Sequence, residues 1–334
     1  MTSLPKDSLT KKTGDRAGEF SIIRKIFAPL AKDAPGAFGL TDDAASLSPR
    51  SGHDLVLTKD TLVEGVHFLS SDPADLVARK VLRVNLSDLA AKGATPIGYL
   101  LSCAWPAETT IDFIKSFASG LAADQSEFGL TLLGGDTVRT PGPLTLSVTA
   151  IGEVPTGQML RRSGAQTGDD LYVTGTIGDA FLGLEILQDR LSMDSGEMRT
   201  ALVAGYQVPS PRVSLGPALR GIAHGSIDVS DGLLADARHL AEASGVKVDL
   251  DLKAVPLSTA ARASGADLLR LASGGDDYEI LFTASADDAE TIAELGLKHG
   301  VAVHRIGRVQ AGEGLSVFDE RGNPVDVTIY GYEH

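Results

Sequence analysis

Aspartates stand in this chain at places where aspartate is structurally odd. Asp42-Asp43 follows a Gly-Leu-Thr turn, and Asp60 closes an apolar run in Thr58-Lys59-Asp60-Thr61. Asp88 lies in Asn85-Leu86-Ser87-Asp88-Leu89-Ala90, inside a largely apolar helical stretch, where aspartate has poor propensity. Asp136 ends a strand-like run after Gly134-Gly135, and Asp228 and Asp231 bracket a strand-to-helix turn. Magnesium takes hard oxygen ligands and keeps several waters, so carboxylates arriving from separate elements could hold it against a nucleotide's phosphates. Glycine beside such an aspartate lets the backbone come close to phosphate and can expose a nest of N–H groups. Each residue also has a plainer reading. Asp42 or Asp43 could cap a turn, Asp60 and Asp136 could belong to turns, and Asp88 could be solvated on an open helix face. Asp231 is well placed as an N-cap, a role compatible with metal contact. His67, between Val66 and Phe68, could be a satisfied core histidine. Periodicity alone does not bring these residues together.

Other chemistries are excluded by what the sequence lacks. It has no G-x-x-x-x-G-K-[ST] phosphate loop, no G-x-G-x-x-G turn, no G-x-S-x-G elbow and no H-E-x-x-H. The acidic spacing in Asp228-Val229-Ser230-Asp231-Gly232 does not match an EF-hand. Asp plus Glu is 44 against 30 Lys plus Arg, a net charge of −14, which disfavours a nucleic-acid partner. The one cysteine, Cys103, cannot make an internal disulfide, and its apolar neighbours Tyr99 to Trp105 suit a core thiol. No stretch approaches a membrane span, and Met1 to Ala17 carries no apolar signal core. A cytoplasmic protein with no membrane partner and a flexible first segment is expected.

The elements that must position these residues follow from periodicity and punctuation. Helical spacing predicts helices over Glu19–Lys32, Ala74–Lys92 and Ile111–Phe128, with strands at Leu55–Thr58, Ile97–Ala104, Leu130–Leu133 and Leu144–Gly152. Pro155 to Gly168 reads as a linker or long loop. Beyond it, strands are expected at Leu171–Thr174, Ser226–Val229, Val246–Leu252 and Asp277–Thr283. Helices are expected at Asp179–Gln188, Pro211–Arg220, Leu233–Ser244, Ala260–Ala272 and Asp287–Lys298, with a less regular segment before Pro209-Ser210-Pro211. Both halves are therefore of α/β type, and a chain of 334 residues suggests two domains. The expected division is a segment 1–17, a domain 18–153 and a domain 154–334.

In order along the chain, these motifs resemble the thiamine-monophosphate kinase family. The resemblance runs from Gly18-Glu19-Phe20 to Gly331-Tyr332-Glu333-His334. It takes in the aspartate motifs above, Glu64-Gly65-Val66-His67-Phe68, Arg162-Ser163-Gly164, Val173-Thr174-Gly175-Thr176, Pro209-Ser210-Pro211-Arg212 and Gly274-Gly275-Asp276-Asp277-Tyr278-Glu279. It implies a two-domain α/β (α+β-type) fold of the aminoimidazole ribonucleotide synthetase type. An N-terminal domain would dimerise, a C-terminal domain would pack beside it, and ATP would lie in the cleft between them. It further implies magnesium ligands at Asp43, Thr58, Lys59, Asp60, Asp88, Asp136, Asp228 and Asp231. ATP contacts are implied at Gly135, Asp136, Arg162 and Ser230, and thiamine monophosphate contacts at His67, Glu279 and Tyr330. The implied activity is ATP-dependent phosphorylation of thiamine monophosphate to thiamine diphosphate by a homodimer, with no general base. The chain departs from the family pattern at Thr41, where glycine is usual, at Lys59, where Ser or Thr is frequent, and at Tyr330, where another aromatic is frequent.

Overall fold

The computed structural model describes residues 18–193 and 196–332. The segment 1–17 and the last two residues of the C-terminal motif, Glu333-His334, lie outside the described residues.

Helical turns open the described chain. The helix expected from Glu19 to Lys32 is α1 (Glu19–Ile22), which passes into a π turn at Ile23–Phe27 and a 3-10 turn at Ala28–Ala31. The first sheet follows: β1 (His53–Val63), β2 (Thr95–Pro106), β3 (Thr131–Thr140) and β4 (Thr145–Pro155), in the order β1-β4-β2-β3. β4 runs antiparallel to β1 and β2, and β3 runs parallel to β2. One face is covered by α2 (Ala74–Ala91) and α3 (Ile111–Phe128). These cross so closely at Gly120 that a Cβ there would lie 2.1 Å from the Asp75 carbonyl oxygen. Trp105 packs edge-on against Phe117, ring centroids 5.5 Å apart, and Cys103 is buried beside it, its thiol pushed up by burial first.

No regular element occupies 156–169. The second sheet then contains β5 (Asp170–Thr174), β6 (Ala223–Asp228), β7 (Lys247–Asp251), β8 (Ile280–Ala284), β9 (Val303–Gln310), β10 (Gly314–Phe318) and β11 (Pro324–Val325). Its order is β11-β10-β7-β9-β5-β8-β6. The helices of this half are α4 (Asp179–Leu187), α5 (Glu197–Gln207), α6 (Leu233–Ser244), α7 (Thr259–Ser264), α8 (Leu268–Ala272) and α9 (Ala289–His299). α2 packs on β1 and β4 and also touches β6 and β8, so one helix is shared by both sheets.

Several expectations need correction. β1 and β3 run well past the expected strands, so Asp60 and Asp136 lie within strands and not at their ends. Pro211–Arg220 is not a helix; only Gly216–Leu219 forms a 3-10 turn, with Pro217 supplying no amide hydrogen. α5 was missed because it buries only Leu202 and Tyr206, too few for a periodic signal. The helix expected over Ala260–Ala272 is two, divided where Gly265 turns left-handed at φ +67° and Asp267 caps the next. The strand expected from Asp277 begins at Ile280, because Asp276 and Tyr278 have φ of +74° and +52°.

Candidate active site

The shared helix α2 gathers a group of carboxylates between the two sheets. β1 alternates, and Val56, Thr58, Asp60 and Leu62 face α2 while Leu57, Lys59 and Thr61 face away. The Thr58 hydroxyl donates to Asp88 on α2. The Asp60 amide donates to Asn85 Oδ1 at 3.0 Å, and Asn85 Nδ2 donates back to the Val81 carbonyl at 2.9 Å. From the other side, Asp228 ends β6, and the buried Ser87 hydroxyl donates to its Oδ2 at 2.8 Å. Thus Thr58 and Ser87 orient the carboxylates of Asp88 and Asp228, and Asn85 fixes the backbone that carries Asp60.

These carboxylates raise one another's affinity for protons. Burial first, then the charge of Asp88, lifts Asp60 to about 6. Burial lifts Asp88 as well, against the Thr58 hydrogen bond and the charges of Lys92 and Arg162. Asp228 is also raised, by burial and then by Asp88. Lys92, whose Nζ donates to the Ser226 carbonyl at 2.8 Å, is itself lowered by burial. Such mutual repulsion is the field a divalent cation would relieve.

The turn after Asp228 carries Ser230 and Asp231. Their amides donate to Asp236 Oδ2 at 3.0 and 3.1 Å, and Asp236 is raised by burial and then by Asp228 and Asp231. The segment after β11 returns here: the Tyr332 amide donates to the Asp231 carbonyl at 2.9 Å, and the Arg238 guanidinium lies 4.7 Å from the Tyr330 ring centroid. Tyr330 therefore stands at this end of the cleft. Arg162 is exposed, with its charge felt at Asp88 and Lys92.

Not every expected residue joins this group. Paired residues on neighbouring strands share a face, and Asp136 pairs with Ser102, Ser102 with Ser147, and Ser147 with Thr61. Asp136 thus faces away from α2, on the side opposite Asp60. It lines a cavity of about 990 Å³ together with Asp43 and Gly135. Gly135 is required by the strands themselves: at φ +154° a Cβ would lie 1.8 Å from the Leu101 carbonyl oxygen, beside a bulge where Leu132 pairs with Tyr99 and Gly134 with Leu100. Lys59 also faces this side and donates from Nζ to Ser147 Oγ at 2.8 Å. His67 accepts the Val63 amide on Nδ1 at 3.1 Å. Glu279 is buried with its carboxylate gripped by Arg212 Nε and Nη2 and by the Thr174 hydroxyl, the last at 2.5 Å. Among the described residues, no three His, Cys, Asp or Glu side chains are disposed to hold one metal ion by themselves. Sequence reasoning assigned no role to Asn85, Ser87, Lys92, Asp236 or Tyr278. Asn85 and Ser87 lie in the same short motif as Asp88, which was the available signal.

Comparison with known proteins agrees with this architecture. The chain matches AIR synthase related protein, N-terminal domain, over residues 41–154 and AIR synthase related protein, C-terminal domain, over 166–320. A thiamine-monophosphate kinase of Caulobacter vibrioides is 45% identical over 323 residues, 95% of this chain and 90% of that protein. The crystal structure of thiamine-monophosphate kinase from Stenotrophomonas maltophilia superposes with a TM-score of 0.80 at 41% identity, covering 91% of this chain and 96% of that one. AaThiL complexed with AMPPCP and TMP superposes at 0.76 with 30% identity, covering 96% and 100%. By sequence over nearly its whole length and by fold, the chain belongs to the thiamine-monophosphate kinase family, built from the two AIR synthase related domains.

Proposed function

We propose that this protein phosphorylates thiamine monophosphate with ATP, giving thiamine diphosphate and ADP, the last step in making that cofactor. The observation that carries the reading is the group Asp60, Asp88 and Asp228, three carboxylates crowded at one cleft with raised proton affinity. Magnesium fits this donor set: each ion takes one or two carboxylates and completes its shell with water and substrate phosphate, so several ions could share these side chains. Bound there, it would neutralise charge on the transferring phosphoryl group. Asp60, Asp88 and Asp228 are its proposed ligands, with Asp231 on the adjoining turn and Thr58 orienting Asp88. Arg162 and the Ser230 turn are proposed to hold ATP phosphate, the arginine through its planar fork of donors. His67, Tyr330 and the wall around Glu279 are proposed for the acceptor.

The acceptor is a phosphate oxygen, which already carries negative charge near neutral pH. A strong general base is therefore unnecessary, and the chain's task is alignment and charge neutralisation. The acceptor oxygen bonds to the γ-phosphorus as the bond to the β–γ bridging oxygen breaks, and ADP leaves. With ATP, magnesium and thiamine monophosphate, phosphorus NMR should show the monophosphate resonance replaced by a coupled pair while ADP accumulates. An unchanged monophosphate signal beside intact ATP would contradict the assignment.

We also propose a homodimer formed through the N-terminal half. Leu57, Leu100 and Val138 are exposed on the open face of the first sheet, and such patches favour association. Asp43 and Asp136 line the cavity on this face, so their part in metal binding is proposed for the assembled dimer and not for the group around Asp88. Light scattering should give twice the chain mass, and a stable monomer at working concentration would contradict it. Lys59 belongs to the same open face, so only its backbone, opposite Thr149 in the sheet, is left for any contact with the Asp60 side. Lys59→Thr should therefore shift the magnesium requirement and the KM for ATP by less than about threefold, roughly 0.6 kcal/mol. A tenfold shift in either would place the ammonium among the metals. A cytoplasmic location is proposed, the compartment that supplies ATP; no described helix is long and apolar enough to cross a membrane.

A further inference from the structure

A buried lysine joins the two sides of the cleft. Lys80 lies on α2 about two turns before Asp88 and is only 2% exposed. Its Nζ donates to the His67 carbonyl at 2.9 Å and to Asp276 Oδ2 at 3.0 Å, and stands 3.5 Å from the centroid of the Tyr206 ring. The Tyr206 hydroxyl donates to the same His67 carbonyl at 3.2 Å. An ammonium in a helix core is costly unless its donors are met, and here two are met by oxygens while the charge lies over an aromatic face. Besides Tyr206 on α5, its ammonium touches the His67 turn and the turn that carries Asp276.

The second of those turns is strained. Asp276 and Tyr278 both have positive φ, and for a residue as bulky as tyrosine that conformation persists only where its surroundings enforce it. The Asp276 amide donates to the Ser230 carbonyl at 2.8 Å and the Tyr278 amide to the Val229 carbonyl at 2.7 Å. The Tyr278 hydroxyl donates to Asp276 Oδ1 at 3.2 Å. The turn is thus bonded on one side to the segment carrying Asp228 and Asp231, and on the other to Lys80 and, through it, to the His67 turn.

We propose that Lys80 is a positioning residue that sets the spacing between the His67 turn and the Asp276–Tyr278 turn, and so fixes the acceptor phosphate relative to the nucleotide. This rests on the kinase reading above. Lys80 is buried and acts only through those turns, and His67 and the wall around Glu279 are the parts proposed for the acceptor, so its effect should fall on the acceptor more than on ATP.

Lys80→Met tests it in two ways. Hydrogen exchange at the amides of Asp276 and Tyr278 should quicken by at least about tenfold, while the amides of α3 keep wild-type rates. The KM for thiamine monophosphate should rise about tenfold, with the KM for ATP within about threefold of wild type. Unchanged exchange at this turn overturns the proposal whatever the substrate is. Quickened exchange with unaltered kinetics, or equal losses for both substrates, overturns it too. A wild-type protein that turns over no thiamine monophosphate overturns the kinase reading instead, and leaves the exchange result to decide whether Lys80 holds the turn. If Lys80→Met does not fold, Asp276→Asn loosens one contact of the ammonium, and Tyr206→Phe removes the hydroxyl that shares the His67 carbonyl with it. Each should then move the acceptor KM in the same direction by a smaller factor, and wild-type values in both overturn the proposal.

Discussion

Asp88→Asn lowers turnover roughly a hundredfold, about 2.7 kcal/mol of lost transition-state stabilisation, while the protein stays folded. The size follows from what the side chain does. It stands between Asp60 and Asp228, and its charge is the largest electrostatic influence raising both. Removing it takes a full negative charge from the centre of the proposed magnesium site, where ATP and acceptor phosphates repel one another. The amide keeps an oxygen to accept the Thr58 hydroxyl, so the local geometry survives. Like-charge crowding also falls, so the ligand-free variant should melt no lower than wild type. Steady-state kinetics across a magnesium titration, with melting by circular dichroism, checks both halves. A folded variant with wild-type kinetics would remove Asp88 from the metal site.

Arg212→Met should cost about 3–5 kcal/mol of stability, because it strands a buried charge. Glu279 is 4% exposed, and Arg212 Nε and Nη2 close on its carboxylate. Gly175 presses against the same group: a Cβ there would lie 1.9 Å from Glu279 Oε1. Arg212→Met combined with Glu279→Gln removes both charges and should recover much of the loss. Urea unfolding measures it, and a fall below about 1 kcal/mol for Arg212→Met would show the pair to be incidental. The prediction bears on function as well. In the proposed acceptor site Glu279 would shape the wall from within an ion pair, its carboxylate already bound by Arg212 and Thr174.

Much of the fold was legible because its strongest elements announce themselves locally. α2 and α3 are long and periodic, and the apolar strands of the first sheet are bounded by glycine and proline. α5 was not legible, since a helix that buries two side chains leaves almost no pattern. The turn at Asp276–Tyr278 was not legible either, because left-handed backbone at Asp and Tyr is enforced by Ser230, Val229 and Lys80, all remote in sequence. The site shows the same division. Asp88 stood out as a carboxylate in an apolar helix, and Asp60, Asp228 and Asp231 stood out at turns and strand ends. That Asp136 faces the opposite side of the sheet depends on strand register, and the bulge at Gly134 sets that register. The commitment of Glu279 to Arg212 depends on a contact across 67 residues of chain.

The account turns on the acceptor, and a coupled assay for ADP reads it directly. With magnesium and ATP fixed, ADP should form rapidly with thiamine monophosphate, at least about tenfold more slowly with free thiamine, whose neutral hydroxyl is a poorer nucleophile than a phosphate oxygen that already carries charge, and at background without an acceptor. Equal rates with thiamine and thiamine monophosphate, or ADP formation that ignores the acceptor, would contradict it.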